Sequence, residues 1–444
     1  MKPEISAAAQ RTRRRIALRL LPFVFLMYVV CVVDRVNVSF ANLRMSADLG
    51  FSDRAYGLGV GLFFIGYVLF EIPGALIVER WSARKWLARI MITWGAFTIL
   101  TGFVQTAKQF YAARFLVGLA EASFFPGIIV YLTHWFRIPD RAKAIASFYI
   151  GVPTATVAGS LLAGWILGIG WLGLPGWRWL FVLEGIPPIV LGLTALWYLT
   201  DRPEQARWLA DDERAWIVGE LEDETKAKKQ IHNYTIWQAF RDRRVLLLIL
   251  VWFFALSGAQ GNIFFLPTFI KRLSGLPNST VAFLVALPGL VAIVGMLLNG
   301  WHADKTGERR WHSAIPLACA AVAYLLLPGV HGRFTLTMVL FTVGGGCLYS
   351  CYPTLWSMPT LVLSESAAAA SFGLINSVGQ LGGLSGPYAV GYLSDRTGSI
   401  APALVFIGAC YLVAGSVVPL INVNSPMACS VRSGAAKDVA AVAR

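Results

Sequence analysis

The sequence predicts an all-α membrane protein in which twelve transmembrane helices form two pseudo-symmetric six-helix bundles. Three observations lead to this prediction: the chain has few charges, its apolar segments recur, and one long polar stretch lies near its middle. Of the 444 residues, 57% are hydrophobic and 14% are charged, whereas a soluble domain carries roughly 25% charged residues. Most of the chain must therefore contact lipid or other helices.

The apolar segments recur along the whole chain, and each is long enough to cross a bilayer, which takes about 20 residues. A soluble protein of this composition would expose apolar surface and aggregate. The predicted spans of the first half are 17–40, 55–79, 86–105, 109–133, 142–168 and 178–200. Those of the second half are 245–270, 280–303, 312–330, 334–358, 366–392 and 400–422.

The polar stretch is highly charged and contains scattered tryptophans. These features predict a cytoplasmic linker that carries an amphipathic helix at the membrane surface. The chain then divides into an N-terminal tail (1–16), a first bundle (17–200), the linker (201–244), a second bundle (245–422) and a C-terminal tail (423–444).

The basic residues are distributed unevenly across the predicted spans. A formal net charge of +14 would suggest a nucleic-acid partner if the protein were soluble. Here most of the 38 Lys and Arg residues fall in loops and termini on one side of the spans, which places that side in the cytoplasm. We therefore expect a multi-pass protein of the bacterial inner membrane, with both termini cytoplasmic and no nucleic-acid partner.

Cysteines and histidines form no catalytic or metal-binding pattern in the sequence. Five of the six cysteines, including Cys31, lie in predicted spans, and we interpret them as small packing residues. No glycine-rich phosphate loop precedes a lysine. We expect neither an enzyme nor an ATP-driven pump, and no metal or cofactor.

Four ionisable residues lie deep within predicted spans 1 and 4. An ionisable group inside a bilayer costs ~2.5–3.5 kcal/mol on insertion scales, so it is usually functional or paired. Arg114 and Glu121 lie about two turns apart on one face, and Gly118 leaves a gap between them for a helix or a ligand. Asp34 and Arg35 point in different directions. We predict crossed pairs, Asp34 with Arg114 and Arg35 with Glu121 or substrate.

These four residues suggest proton-coupled binding of an anion. Arginine can bind a carboxylate through two parallel hydrogen bonds, and a desolvated acid can take up a proton near neutral pH. If protonation of Asp34 or Glu121 frees an arginine, proton binding and anion binding become coupled. The alternative is a static ion-pair network that fixes helix packing. We favour such a structural role for Glu71 and Glu184, which lie near predicted helix ends.

Two predicted loops carry related patterns, which suggests that the two halves are duplicates. The second loop has a full G-x-x-x-D-x-x-G-x-R-R pattern, in which Gly300 would permit close helix contact and Asp304 can meet a helix N-terminus and the arginines. Duplicated bundles are a known carrier design. On this basis the predicted gating residues are Glu71, Gly74, Arg84, Lys85, Gly300, Asp304, Gly307, Arg309 and Arg310.

Motifs in predicted spans 1, 4 and 6 resemble those of a known family. They run from Tyr28 to Asn37, from Arg114 to Gly127, from Tyr131 to Phe136 and from Trp179 to Gly185. Through them, and over nearly its full length, the chain resembles the major facilitator superfamily and, within it, the anion:cation symporter family. Members of that family carry tartrate, sugar acids, phthalate and related carboxylates.

The resemblance implies roles for five residues of the first half. Arg35 is the expected contact of the substrate carboxylate, and Tyr67 matches a tyrosine that lines the family's cavity. Asp34 and Glu121 are the expected proton carriers. Arg114 is the expected partner that tunes them.

The second half has no charge deep in a span, so polar and aromatic residues are the candidates there. Vesicular glutamate relatives have an arginine where this chain has Gln260 and Asn262, which argues against a glutamate-like dicarboxylate. Asn376 and Gln380 lie one turn apart on one face and suit hydroxyl recognition; hydrogen bonds between helices are the alternative. The candidate substrate contacts are Gln260, Asn262, Tyr352, Trp356, Asn376 and Gln380.

These observations together predict a proton-coupled symporter that takes up a small organic anion by alternating access. Tartrate, a sugar acid and an aromatic carboxylate all remain open as the substrate. We expect a monomeric carrier whose partners are the anion, H⁺ and the lipid bilayer. The alternatives are an anion exchanger or facilitator without proton coupling, and a non-transporting membrane sensor.

Overall fold

The computed structural model describes residues 7–137, 140, 141, 144, 151–228, 242–330, 332–362 and 365–421. All regular secondary structure in those ranges is helical, which confirms the all-α prediction for them. The predicted C-terminal tail, residues 229–241 of the predicted linker and the start of the fifth predicted span lie outside the described residues.

The α-helices of the described residues are numbered in chain order. The first eight are α1 (Ala7–Leu49), α2 (Asp53–Arg80), α3 (Ala83–Thr101), α4 (Ala107–Glu121), α5 (Phe124–Thr133), α6 (Gly151–Ile166), α7 (Gly176–Tyr198) and α8 (Asp211–Lys228). The others are α9 (Arg243–Ser274), α10 (Asn278–Leu284), α11 (Ala286–Thr306), α12 (Arg310–Leu326), α13 (Phe334–Ser350), α14 (Tyr352–Val362), α15 (Glu365–Thr397) and α16 (Ala401–Val417).

Each of the twelve predicted spans overlaps a helical region of the described chain, the fifth only from Gly151 onward. Three regions consist of two consecutive helices, α4 with α5, α10 with α11 and α13 with α14. In the described residues, nine regions are long and apolar enough to cross a membrane. Region α3 is missing from these nine because Arg84, Lys85 and Arg89 fall in its first two turns.

The fourth predicted span is not one continuous helix. It breaks at Ser123, whose backbone is left-handed with φ of 66°, and α5 then begins at Phe124. Pro126 therefore lies in the first turn of α5, where its missing N–H removes no helical hydrogen bond. Consequently Glu121 is the last residue of α4 and lies directly before the break.

The chain forms two compact units. Unit 1 comprises Met1–Ile231, Ile263–Gly289 and Pro387–Gly398, and unit 2 comprises His232–Asn262, Leu290–Gly386 and Ser399–Arg444. Parts of α9 and α15 thus belong to unit 1. The two predicted bundles, 17–200 and 245–422, stay a prediction.

Glycines bring pairs of helices into backbone contact within unit 1. A Cβ on Gly118 of α4 would lie 2.0 Å from the carbonyl oxygen of Phe63 in α2. One on Gly185 of α7 would lie 2.8 Å from the carbonyl oxygen of Gly95 in α3. The gap predicted at Gly118 is therefore filled by the backbone of α2, and α4 has little freedom to shift against it.

Helix α8 of the predicted linker is held against the N-terminal part of α1. Glu213 is buried, and it accepts hydrogen bonds from Arg11 at 3.0 Å and from Arg15 at 2.9 Å. Burial alone would raise the pKa of Glu213, but the backbone N–H of Ala210 and the two arginines outweigh it, so the pKa lies below its ordinary value. Ion pairs thus attach α8 to α1.

One further polar cluster in unit 1, the Asp53 cluster, comprises Asp53, Arg272 and Asp395. Both Asp53 carboxylate oxygens accept hydrogen bonds of 2.6 Å from Arg272 of α9. The Asp395 carboxylate of α15 accepts the backbone N–H of Asp53 at 2.9 Å and that of Arg54 at 2.8 Å. Asp395 therefore stabilises the N-terminus of α2, where four backbone N–H groups lack helical partners.

Unit 2 has its own aromatic core. Tyr324 of α12 packs edge-on against Phe341 of α13 and Tyr411 of α16, with ring centroids 6.0 and 5.4 Å apart. Such tilted aromatic contacts add to apolar burial and fix the relative positions of three helices.

Candidate functional site

Arg35 and Glu121 form the centre of the candidate site in unit 1. Arg35 Nε donates a hydrogen bond of 2.9 Å to Glu121 Oε1, and Arg35 Nη2 contacts the same oxygen. The Glu121 side chain is buried, whereas 21% of the Arg35 side chain remains exposed. The predicted contact between these residues is therefore present, and the guanidinium retains surface that another anion could contact.

Cys31 contributes a third hydrogen bond to Glu121. Its thiol lies one turn before Arg35 on α1 and donates to Glu121 Oε1 at 3.3 Å. Cys31 is buried in the apolar core, which agrees with its interpretation as a packing residue, and its thiol contact with Glu121 is an additional role. Nothing in the sequence indicates this contact, because a cysteine in an apolar helix carries no sign of its neighbours.

An aromatic wall lies against the Arg35 guanidinium. Its carbon Cζ is 5.5 Å from the ring centroid of Phe63 and 5.3 Å from that of Tyr67, both on α2. Aromatic faces attract a cation and exclude water around it. The structure thus brings Tyr67 to Arg35, although its predicted role as a substrate contact stays a prediction.

Asp34 is buried beside the Arg35 site and is bound by neutral donors. Asn37 Nδ2 donates to Asp34 Oδ1 at 2.7 Å, and Thr98 Oγ1 of α3 donates to Asp34 Oδ2 at 2.8 Å. In the described residues no ion pair joins Asp34 to Arg114, so this one of the two predicted crossed pairs is not formed. The amide and hydroxyl already satisfy the carboxylate, which removes the need for a direct cationic partner.

Arg114 is a buried cation with spare hydrogen-bonding capacity. Its residue is 2% exposed, and its Nε and Nη2 atoms have no hydrogen-bond partner among the described residues. The guanidinium carbon lies 5.0 Å from the Phe63 ring centroid, so the same ring contacts both site arginines. Arg114 therefore contributes positive charge to the site without being bound to one acid.

Glu71 and Gly74 lie one turn apart on α2, and Gly74 contacts the helix break at Ser123. A Cβ on Gly74 would lie 2.2 Å from Ser123 Oγ, so glycine is what lets Ser123 approach. Glu71 is buried. The predicted gating roles of both residues stay predictions.

Asp201 organises the neighbouring loop around Arg84. Its carboxylate accepts the hydroxyl of Ser82 at 2.8 Å and the backbone N–H of Arg84 at 2.8 Å. Lys85 lies 6.0 Å from the Trp81 ring. Arg84 and Lys85 thus belong to an ordered first turn of α3, and their gating roles stay predictions.

The corresponding loop of unit 2 joins α11 to α12. Arg309 Nη2 contacts Asp304 Oδ1, as the pattern predicted, and Gly307 has φ of 67°, which favours glycine. For Gly300, however, the reason given from the sequence was wrong, because a Cβ there would meet no described atom within 4 Å. Arg310 begins α12. Gating by these residues stays a prediction.

The loop also contains a contact that sequence analysis missed. His302 Nδ1 and His312 Nε2 are 2.6 Å apart, and His312 Nδ1 is 2.9 Å from Glu308 Oε2. The two histidines are ten residues apart, which gave no sign of a contact across the turn. In the described chain no set of three or more His, Cys, Asp or Glu residues is suited to a metal ion.

Trp252 brings together the predicted aromatic residues of unit 2. Its ring centroid is 5.4 Å from that of Tyr352 and 4.5 Å from that of Trp356. Trp252 was missed because it lies in an apolar run. A Cβ on Gly379, between Asn376 and Gln380, would lie 2.4 Å from the Trp252 ring. Two of the six predicted residues, Tyr352 and Trp356, therefore pack against Trp252, and α15 approaches the same ring at Gly379.

The other two predicted residues of unit 2 lie on α9, where Gln260 is half-buried and Asn262 is buried. Asn262 Oδ1 has no hydrogen-bond partner in the described chain. Substrate contact by any of the six residues stays a prediction.

The sequence of the chain is similar to those of known transport proteins. The sequence model of the Major Facilitator Superfamily matches residues 24–387. A protein of Agrobacterium vitis named "Putative tartrate transporter" is 45% identical over 418 residues, which cover 94% of this chain and 96% of that protein. A Pseudomonas putida protein named "Putative metabolite transport protein NicT" is 39% identical over 92% of this chain and 95% of its own length.

Among solved structures, the chain resembles an inward-facing bacterial homologue of the human lysosomal transporter Spinster. The TM-score is 0.71 at 20% identity, with 92% of this chain and 95% of that chain covered. An identity this low shows the fold alone. The structural similarity supports the twelve-helix architecture that the apolar segments predicted.

Proposed function

Because this chain belongs to the major facilitator superfamily, we propose that it is a proton-coupled symporter that takes up a small organic anion. The family and the named relatives support a multi-pass membrane transporter. Tartrate-type hydroxy acids are the first candidates, since the relative of Agrobacterium vitis carries that substrate in its name; a sugar acid or an aromatic carboxylate is the next. The observation that carries the proposal is the contact between Arg35 and Glu121.

In the proposed mechanism, proton and substrate act on the same guanidinium. When Glu121 is ionised, its carboxylate accepts hydrogen bonds from Nε and Nη2 of Arg35. Protonation of Glu121 removes its negative charge and weakens this hydrogen-bonded pair, so Arg35 becomes available to a substrate carboxylate. Anion binding and protonation then favour each other, as linkage requires. Phe63 and Tyr67 exclude water from the exchange.

The placement of basic residues supports a location in the bacterial inner membrane with both termini in the cytoplasm. We propose that uptake proceeds inward, down the proton gradient. We also propose that the carrier acts as a monomer and needs no cofactor, since the residues proposed for anion and proton binding all lie in one chain.

Two substitutions test the proposal in liposomes that contain the purified protein and labelled tartrate. Replacing Arg35 with alanine should abolish binding, whereas Arg44→Ala, an exposed arginine on the same helix, should not. Glu121→Gln should retain anion exchange but lose uptake driven by an imposed pH gradient. The exposed Glu222→Gln on α8 is its matched control.

Normal concentrative uptake by Glu121→Gln would refute the coupling role. Collapse of the proton gradient separates the alternatives, because a symporter then loses accumulation while an exchanger keeps it. No accumulation or exchange of any carboxylate by the wild type, despite binding, would favour a sensor.

A further inference from the structure

Glu184 is a buried acid that the proposed mechanism leaves without a role. The residue is 6% exposed and is the ninth residue of α7, so it lies deeper than the helix-end position expected from the sequence. Neither carboxyl oxygen has a hydrogen-bond partner among the described residues. An ionised carboxylate without donors is costly in such surroundings, whereas the protonated acid is tolerated far better.

The groups around Glu184 and its neighbour Asp34 come from several elements of unit 1. Asn37 and Asp34 of α1 face its carboxyl group. On α3, Thr98 donates to Asp34; on α4, Arg114 and Glu121 act on Asp34 through their charges.

On α7 itself the other charged residue is Arg178, which donates to the carbonyl oxygen of Gly102 at 2.7 Å and not to Glu184. No cation in the described residues forms an ion pair with Glu184.

The direction of the hydrogen bonds around Asn37 favours the protonated form of Glu184. Both oxygens of Asp34 accept hydrogen bonds, one of them from Asn37 Nδ2. Asn37 Oδ1 is thereby left as a buried acceptor without a partner in the described chain. A protonated Glu184 can donate an O–H to it, whereas an ionised Glu184 has nothing to donate.

A count of charges leads to the same conclusion. The buried group contains three acids, Asp34, Glu121 and Glu184, and two guanidinium groups, Arg35 and Arg114. It carries a net negative charge when all five are ionised, and it is neutral when one acid holds a proton. Glu121 is paired with Arg35 and Asp34 is satisfied by neutral donors, so the proton belongs on Glu184.

We propose that Glu184 is a second proton-binding site of this transporter, whose O–H group donates to Asn37 and so holds the Asn37 amide in position to stabilise ionised Asp34. Asn37 is then the link between two acids on different helices. The inference rests on the proposed function only in assigning these groups to proton coupling; the resident proton itself can be detected without transport.

Infrared spectroscopy of the purified protein at neutral pH tests the proposal. A protonated carboxyl group gives a C=O stretching band that ionised surface acids lack and that shifts in D₂O. We expect this band in the wild type, in Glu121→Gln and in Glu222→Gln. It should be lost in Glu184→Gln. A spectrum of Glu184→Gln that retains the full wild-type band would overturn the proposal, as would a wild type without the band.

Two further variants test the link to Asp34. Asn37→Leu removes the acceptor, so the Glu184 band should move to higher frequency, and an unmoved band would contradict the link. This variant also keeps the test available if Glu184→Gln fails to give monodisperse protein. In liposomes, Glu184→Ala should shift the pH dependence of uptake more than Glu184→Gln does, because the glutamine amide can still donate to Asn37. Equal shifts would exclude this positioning role.

The two proposals can fail separately. Concentrative uptake by Glu121→Gln would refute the coupling role of Glu121 while leaving the Glu184 band in place. Absence of the band would refute the role of Glu184 while leaving the Arg35 and Glu121 mechanism intact.

Discussion

Replacement of Gly118 with alanine probes the contact that holds α4 against α2. The new Cβ would lie 2.0 Å from the Phe63 carbonyl oxygen, whereas ordinary contact begins at 3.4 Å. The two helices must therefore separate by about 1.4 Å, because a backbone carbonyl cannot rotate aside as a side chain can. Overpacking of this kind typically costs about 1–3 kcal/mol, and we expect the upper end.

Gly300→Ala is the matched control for Gly118→Ala. Both glycines lie inside helices, so each substitution gains roughly 1 kcal/mol of helix propensity. A Cβ on Gly300 meets nothing within 4 Å. The difference in unfolding free energy between the two variants therefore isolates the packing cost, which should be about 3 kcal/mol.

Thermal unfolding of the purified protein, followed by tryptophan fluorescence, measures this difference. Gly118→Ala should unfold at a clearly lower temperature than Gly300→Ala, and it should lose substrate uptake because α4 carries Arg114 and Glu121. Equal unfolding temperatures would refute the tight contact between α2 and α4.

Two further predictions concern ion pairs of unit 1. Asp53→Asn removes one charge of the pair with Arg272, whose side chain is 44% exposed; the loss of unfolding free energy should be about 1 kcal/mol or less, and smaller in high salt. Glu213→Gln should lower the unfolding temperature at pH 7, with exposed Asp212→Asn as a milder control. Because the pKa of Glu213 is lowered, its contribution is present at neutral pH and is lost as pH falls below about 4.3. A difference between wild type and Glu213→Gln that persisted in acid would contradict this.

Much of the fold could be predicted because the bilayer demands long apolar segments, and these are visible in the sequence. The contact of Arg35 with Glu121 was predictable for a related reason. Charges are few in the spans, so each has few possible partners. Rarity of polar groups makes pairing arguments strong in this class of protein.

The remaining contacts of the site depend on neutral groups, which are too common for such an argument. Asp34 is bound by Asn37 and Thr98, and nothing in the sequence favours Thr98 over the other hydroxyl residues of the spans. The spacing of Asn37 three residues after Asp34 was a usable sign, since such residues are neighbours on a helix surface. Glu184 was assigned a structural role because its position along α7 was judged too close to the end.

The break at Ser123 gives α5 a mechanical property that α4 lacks. Because α5 has ten residues, it is about 15 Å long. A tilt of about 10° at Ser123 would displace its far end, near Thr133, by roughly 2.6 Å, while the carboxylate of Glu121 stayed at the fulcrum. A tilt of α5 about Ser123 would therefore move one half of this membrane crossing without displacing Glu121.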